Sequence, residues 1–280
     1  MNEKSNRMPV VVSIAGSDNS GGAGIQADIK TCDAMRCYAA TVVTAVTAQS
    51  YRGVEGVKYV GDEMLRLQLK TIFEAMRPDA IKIGMIPCES AVDIISEALM
   101  GNSCRRIVID PVAVSTTGQS LSGNREETIA HALERLYPLA ELITPNLPEA
   151  EYLSWLSAVR NEEDITLFRG AEECAKQLRR HLPSTSILIK GGHCEGLVVT
   201  DRLYESATND KALDFSAMRI RTLHSHGTGC TLSTAIACGL AKGNTLRKSI
   251  EDGKAFVTSA LARGRDLNIV PTGGPLGFFE

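Results

Sequence analysis

A mostly parallel α/β sheet with helices on both faces is the fold class this chain predicts. Three observations carry it. Short apolar, β-branched runs alternate with helix-length amphipathic stretches at least six times. A glycine-rich turn separates the first such run from the first helix pattern. The runs close in tips that suit a ligand edge: Gly16, Gln49, Met85, Asp110, Asn146 and Lys190. In an open parallel sheet the carboxyl ends of the strands share one edge, and ligands bind there.

Residues 10–14 read as a buried strand. Four glycines follow between Gly16 and Gly24, which favours close approach of backbone to a ligand over a plain turn. Their spacing matches neither the dinucleotide fingerprint nor the P-loop. Residues 25–35 read as a helix, with Asp28 on its first turns as a solvated or capping carboxylate. Residues 41–49 read as a second strand. Gln49 at its tip offers two donors and two acceptor lone pairs, suited to a heteroaromatic edge, although most strand-end glutamines have no special role.

Residues 62–76 are amphipathic, and Leu65, Leu69, Ile72, Phe73 and Met76 recur at helical spacing as core. Residues 80–86 read as a buried strand, 91–100 as a helix and 106–112 as a strand stopped by Asp110-Pro111. An aspartate at the end of a buried strand needs a partner or a cation. Residues 125–137 read as a helix and 141–143 as a strand. Asn146 and Glu149 stand at the start of the next helix. Their spacing fits a local cap and equally fits oxygens presented to Mg²⁺-bound water. Residues 162–181 read as a helix, and 187–193 as a strand with a basic, glycine-rich tip. Residues 197–215 read as extended pieces joined by a hairpin-like insertion at 207–210. Residues 245–264 form the last helix pattern, and an irregular tail follows. The chain shows no repeat or linker, so residues 1–280 are expected to form a single domain.

His226-Gly227-Thr228-Gly229-Cys230 precedes a strong helix former. Two glycines let the backbone turn, and a helix start offers unpaired N–H groups and partial positive charge. That is an anion site suited to phosphate. Cys230 falls in the first turn, where a thiol is expected to shift toward thiolate. A Gly-x-Gly before a helix is also a common tight loop, so the five residues alone leave both readings open.

Composition narrows the classes. The 280 residues are 44% hydrophobic and 22% charged, with a net charge of −3, an ordinary globular mix. No basic block is present, which argues against a nucleic-acid platform. The first residues are polar and lack a signal-peptide core. No apolar run approaches the roughly 20 residues of a membrane span. A soluble, cytoplasmic protein with no membrane partner is expected. The eight cysteines lack Cys-x-x-Cys spacing, so free thiols are expected rather than a disulfide framework or a structural metal site.

A glycine loop, an anion-binding helix start, acidic residues, a lysine and a candidate base together describe phosphoryl transfer. At this point seven ordered blocks resemble a known family. They are Ala15-Gly16-Ser17-Asp18 with residues 20–28, residues 44–49, Lys82-Ile83-Gly84-Met85, Asp110-Pro111-Val112, Thr144-Pro145-Asn146 with Glu149, residues 190–193, and residues 226–231. The chain resembles the ribokinase superfamily, and within it the hydroxymethylpyrimidine/phosphomethylpyrimidine kinases of thiamine biosynthesis.

The resemblance implies ATP and Mg²⁺, and phosphorylation of 4-amino-5-hydroxymethyl-2-methylpyrimidine and then of its monophosphate. It implies Cys230 as the base, with Gly227, Thr228 and Gly229 forming an anion hole. Gln49 would pair with the pyrimidine edge, with Gly16, Asp28 and Met85 around the ring. Asp110, Asn146 and Glu149 would serve metal and phosphate, Asp110 and Glu149 as the metal carboxylates, and Lys190 would serve the phosphate side. A homodimer is also implied. The chain departs from the family pattern at Asn19, where proline is usual, at Ala113, where methionine is usual, and at Thr117, where serine is common. Ala113 is expected to widen the substrate wall. Pyridoxal kinase is the close alternative, and a non-catalytic binding module of the same fold is the reading from a different class.

Overall fold

A computed structural model describes residues 7–111, 125–161, 163, 168–192, 196–206 and 211–279. Its strands are β1 (Val10–Asp18), β2 (Tyr38–Ser50), β3 (Gly53–Tyr59), β4 (Ala80–Ile83), β5 (Ile107–Ile109), β6 (Leu142–Ile143), β7 (Ser186–Ile189), β8 (Val198–Tyr204) and β9 (Leu213–Met218). Its helices are α1 (Gly24–Ala34), α2 (Asp62–Ala75), α3 (Glu89–Met100), α4 (Arg125–Arg135), α5 (Leu147–Arg160), α6 (Ala171–His181), α7 (Thr228–Ala241) and α8 (Leu246–Gly264). The strands form one sheet in the order β3-β2-β1-β4-β5-β6-β7-β8-β9. From β2 through β7 all pairings are parallel, while β3, β8 and β9 join antiparallel. The expected mostly parallel sheet is therefore present.

The pleat sorts the core into two layers. Val12, Ile14, Ile81, Ile83, Ile107 and Ile109 face one side and pack with α2 to α6. Val11, Ala80, Val108 and Leu188 face the other and pack with α1, α7 and α8. Each fully buried isoleucine or leucine contributes roughly 1.5–3 kcal/mol. Ser13 and Lys82 follow the same alternation onto the α1/α7 side, so two polar residues enter an apolar layer. The central helix α7 is buried from Thr231 to Ala241. Its Gly239 lies so close to α8 that a Cβ there would stand 2.7 Å from Ser249 Oγ. Such packing fixes where the start of α7 points.

Three expectations are corrected. β1 runs past Ile14 to Asp18, because Ser17 and Asp18 resume pairing with β2 after a bulge. The sequence reading missed β3, a return strand after the turn at Tyr51-Arg52. The helix expected over 162–181 begins only at Ala171, after Gly170 at φ 83°. Part of that stretch, the insertion at 207–210, His193, and Ala113 with Thr117 lie outside the described residues. Among the described residues, no helix is long and apolar enough to cross a membrane.

Candidate active site

The carboxyl ends of β1, β2, β4, β5, β6 and β7 meet the start of α7 around a cavity of about 1050 Å³. Gly16, Gln49, Met85, Asp110, Asn146, Glu149, Lys190 and residues 227–230 all line it. Its volume suits a nucleotide with a small acceptor beside it.

The two glycine loops are built against each other. Gly227 has φ 86° and opens α7 without a side-chain cap. Any Cβ on it would collide with the carbonyl oxygen of Gly22. The helical hydrogen bonds start with Thr231 N–H donating to Gly227 O at 2.9 Å. The N–H groups of Gly229 and Cys230 are thus left for a ligand. Thr228 differs from its expected part. Its N–H and its hydroxyl both donate to Ser225 O, at 3.2 and 2.6 Å, so it shapes the loop.

Asp110 and Lys190 face this helix start. Lys190 Nζ donates to Asp110 Oδ1 at 2.7 Å and lies 3.9 Å from Glu149 Oε2. A Cβ on Gly229 would stand 3.2 Å from Asp110 Oδ2 and 3.4 Å from Lys190 Nζ. Burial opposes the charge on Lys190, but Asp110 and Glu149 outweigh it and raise its pKa, so it stays an ammonium. Thr144 Oγ1 donates to Asp110 Oδ1 at 3.2 Å. Asn146 and Glu149 form a reciprocal capping box, each side chain accepting from the other's N–H at 2.8 Å. The cap and the cavity position coexist, since both residues line the cavity.

Two expectations for side chains are overturned. Asp28 does not border the cavity. It is fully buried on α1, 2.8 Å from the equally buried Lys82 Nζ. Its carboxylate also accepts from Ser13 Oγ at 2.5 Å and Thr234 Oγ1 at 2.7 Å. It ties β1, β4 and α7 together beneath the site. Cys230 is not shifted toward thiolate. Burial pushes its thiol up to about 11, although Lys82 and the Gly24 N–H act in the opposite direction. Desolvation, with the Asp28 and Asp110 carboxylates, outweighs them.

Met85 packs on Gly16, where a Cβ would stand 2.8 Å from the Met85 sulfur. Asp18 and His226 were in the quoted blocks without a role. Asp18 accepts from Ser20, Gly22 and Ala23 backbone N–H groups and from His226. Lys254 and Asp201 form a further pair at 2.7 Å in the cavity wall. Asp201 also accepts from Gly191 N–H at 2.9 Å and so holds the residue after Lys190. Nothing in the sequence around Asp201 or Lys254 marked them. Among the described residues no group of three or more His, Cys, Asp or Glu is placed to hold a metal.

A family model described as phosphomethylpyrimidine kinase matches residues 18–276. The hydroxymethylpyrimidine/phosphomethylpyrimidine kinase of Rhizobium meliloti (strain 1021) is 38% identical over 271 residues, covering 97% of each chain. A probable thiamine biosynthetic bifunctional enzyme, chloroplastic, of Oryza sativa subsp. japonica is 39% identical over 273 residues. The match covers 97% of this chain and 47% of the rice protein, so this chain spans about half that relative's length. Among solved structures, an ADP complex of Bacillus subtilis pyridoxal kinase superposes with a TM-score of 0.82 at 31% identity, covering 97% of this chain and 98% of that one.

Proposed function

Because this chain belongs to the phosphomethylpyrimidine kinase family, we propose that it moves the γ-phosphoryl group of ATP onto the hydroxymethyl oxygen of 4-amino-5-hydroxymethyl-2-methylpyrimidine. A second ATP then phosphorylates the monophosphate so formed. The observation that carries this reading is the convergence of Cys230, the open start of α7 and the Asp110–Lys190 pair in one cavity.

In this reading the N–H groups of Gly229 and Cys230 and the Lys190 ammonium hold the transferring phosphoryl group. Gln49, Gly16 and Met85 border the ring. Asp110 and Glu149 fit Mg²⁺, which takes one or two carboxylates, retained waters and substrate phosphates. Bound there, the ion neutralises phosphate charge. Cys230 takes the hydroxyl proton as thiolate, a form that burial makes scarce near neutral pH. The second transfer is different. Its acceptor is a phosphate monoester already ionised near pH 7, so it needs no base. A homodimer in the cytoplasm completes the proposal.

The test is ATP consumption with Mg²⁺ and three acceptors: the hydroxymethylpyrimidine, its monophosphate and pyridoxal. Turnover of both pyrimidines is expected. Turnover of pyridoxal alone would replace this reading, and the Bacillus subtilis likeness is what makes that arm necessary. Cys230→Ala is expected to slow the first transfer about 10²–10⁴-fold and the second far less, with ATP binding retained. Equal loss in both steps would remove the proton-accepting role from Cys230.

A further inference from the structure

His226 Nε2 lies 2.8 Å from Asp18 Oδ2 and 3.1 Å from the side-chain nitrogen of Gln49. One ring nitrogen is asked to serve both. Asp18 decides how. Burial raises its pKa, but hydrogen bonds from His226 and Ser20 outweigh this and bring it down to about 2. Its oxygens also receive the N–H groups of Ser20, Gly22 and Ala23. An ionised carboxylate only accepts. Nε2 of His226 therefore carries a hydrogen, in the neutral ring and in the charged one alike.

A nitrogen that donates has no lone pair to receive an N–H from Gln49. Two donors facing each other at 3.1 Å repel. Exchanging the oxygen and nitrogen of the amide keeps its shape and turns the repulsion into a shared hydrogen bond. The surroundings hold this arrangement in place. His226 N–H donates to Gly274 O at 3.1 Å. The His226 ring lies against Gly22, where any Cβ would collide with it. Gln49 N–H donates to Asn19 Oδ1 at 2.7 Å, so the residue that stands in place of the usual proline anchors the backbone of Gln49.

We propose that His226, held by Asp18, fixes the Gln49 amide with its oxygen on the imidazole and its NH₂ group toward the cavity, so that Gln49 reads a lone pair on the ligand edge. The ligand edge it accepts is an unprotonated ring nitrogen or a bare oxygen. An N–H edge is rejected, because two donors would meet. His226 is a positioning residue that acts through Gln49. The ligand part of this inference rests on the pyrimidine reading above, whereas the amide orientation does not.

Two measurements test it. Neutron diffraction from a deuterated crystal of the protein reads the amide directly. Deuterium is expected on His226 Nε2 between Asp18 and Gln49, with the two amide deuterons of Gln49 toward the cavity. Amide deuterons directed at a bare Nε2 would overturn the proposal, whatever the substrate proves to be. Kinetics read the consequence. His226→Phe is expected to raise the KM for the hydroxymethylpyrimidine about 10-fold, the scale of losing one oriented polar contact. The KM for ATP and kcat should stay near their wild-type values. His226→Gln, which keeps a donor near the Nε2 position, should recover most of the loss. A fall in kcat or a rise in both KM values, with no recovery by glutamine, would assign His226 to structure alone. A wild-type protein inert toward pyrimidines would refute the substrate reading, and the neutron result would still decide the amide.

Discussion

Two lysine–aspartate pairs, one joining β4 to α1 and the other joining the ends of β5 and β7, do different work. Lys82 and Asp28 are both fully buried. Lys190 and Asp110 are 14% and 4% exposed and open onto the cavity. The first pair is closed by Ser13 and Thr234, which complete the carboxylate's hydrogen bonds. The second packs closely on Gly229 at the start of α7 and borders the cavity. A pair with no exposed surface and a fully bonded carboxylate holds elements together. A pair with one open side can take a ligand.

The largest expected effect breaks the sealed pair. Asp28→Ala leaves the Lys82 ammonium uncompensated in the interior and should cost about 3–5 kcal/mol of stability. Denaturant unfolding measures it. A change below about 1 kcal/mol would mean that Lys82 reaches water through the cavity floor. Next, Lys190→Met should reduce kcat about 10²-fold, as loss of a donor to the transferring group does. Its stability should move far less than that of Asp28→Ala, because water in the cavity can solvate Asp110. If unfolding shows equal losses in both variants, the contrast between the pairs fails.

A pH series sharpens the same contrast, since Lys82 is also what pulls the Cys230 thiol down against burial. With that thiol held near 11, the thiolate fraction rises about tenfold per pH unit below that value. The first-transfer kcat/KM should climb with that slope from pH 6 to 9, and Cys230→Ala should lose the slope. A flat wild-type profile would mean that the proton leaves by another route.

The smallest effect concerns Asp18. Its folded pKa of about 2 lies below its ordinary value of 3.8, so the unfolded chain binds the proton more readily. The stability it contributes is present above pH 4 and is lost as the pH falls toward 2. Acid titration of Asp18→Asn should lack that part of the transition. An unchanged acid limb would mean that other carboxylates carry it.

Much of the site was legible because chemistry and chain order coincide. Gly227, at φ 86°, makes a turn that favours glycine, and the edge rule for parallel sheets places Gln49, Met85, Asp110, Asn146 and Lys190 together. Asp28 was misread because its position early in a helix says nothing about which face the helix buries. Only packing against Ser13, Lys82 and Thr234 turned it inward. Cys230 was misread for a related reason: a helix start lowers a thiol pKa, but the burial and the Asp28 and Asp110 carboxylates that raise it are properties of the assembled layers.

Alternation of apolar runs with helix patterns determined the class of fold, because the strand and helix periods are local and each face must be covered. The glycine loops determined where the backbone can turn sharply and pack closely, because backbone freedom belongs to the residue itself. Tertiary structure alone decided which charges meet. The partners Asp28 and Lys82 are separated by 54 residues, Asp110 and Lys190 by 80, and Asp18 and His226 by 208. At such separations only the crossovers of the sheet bring the groups together, and what they exclude from water sets which of them binds and which only holds.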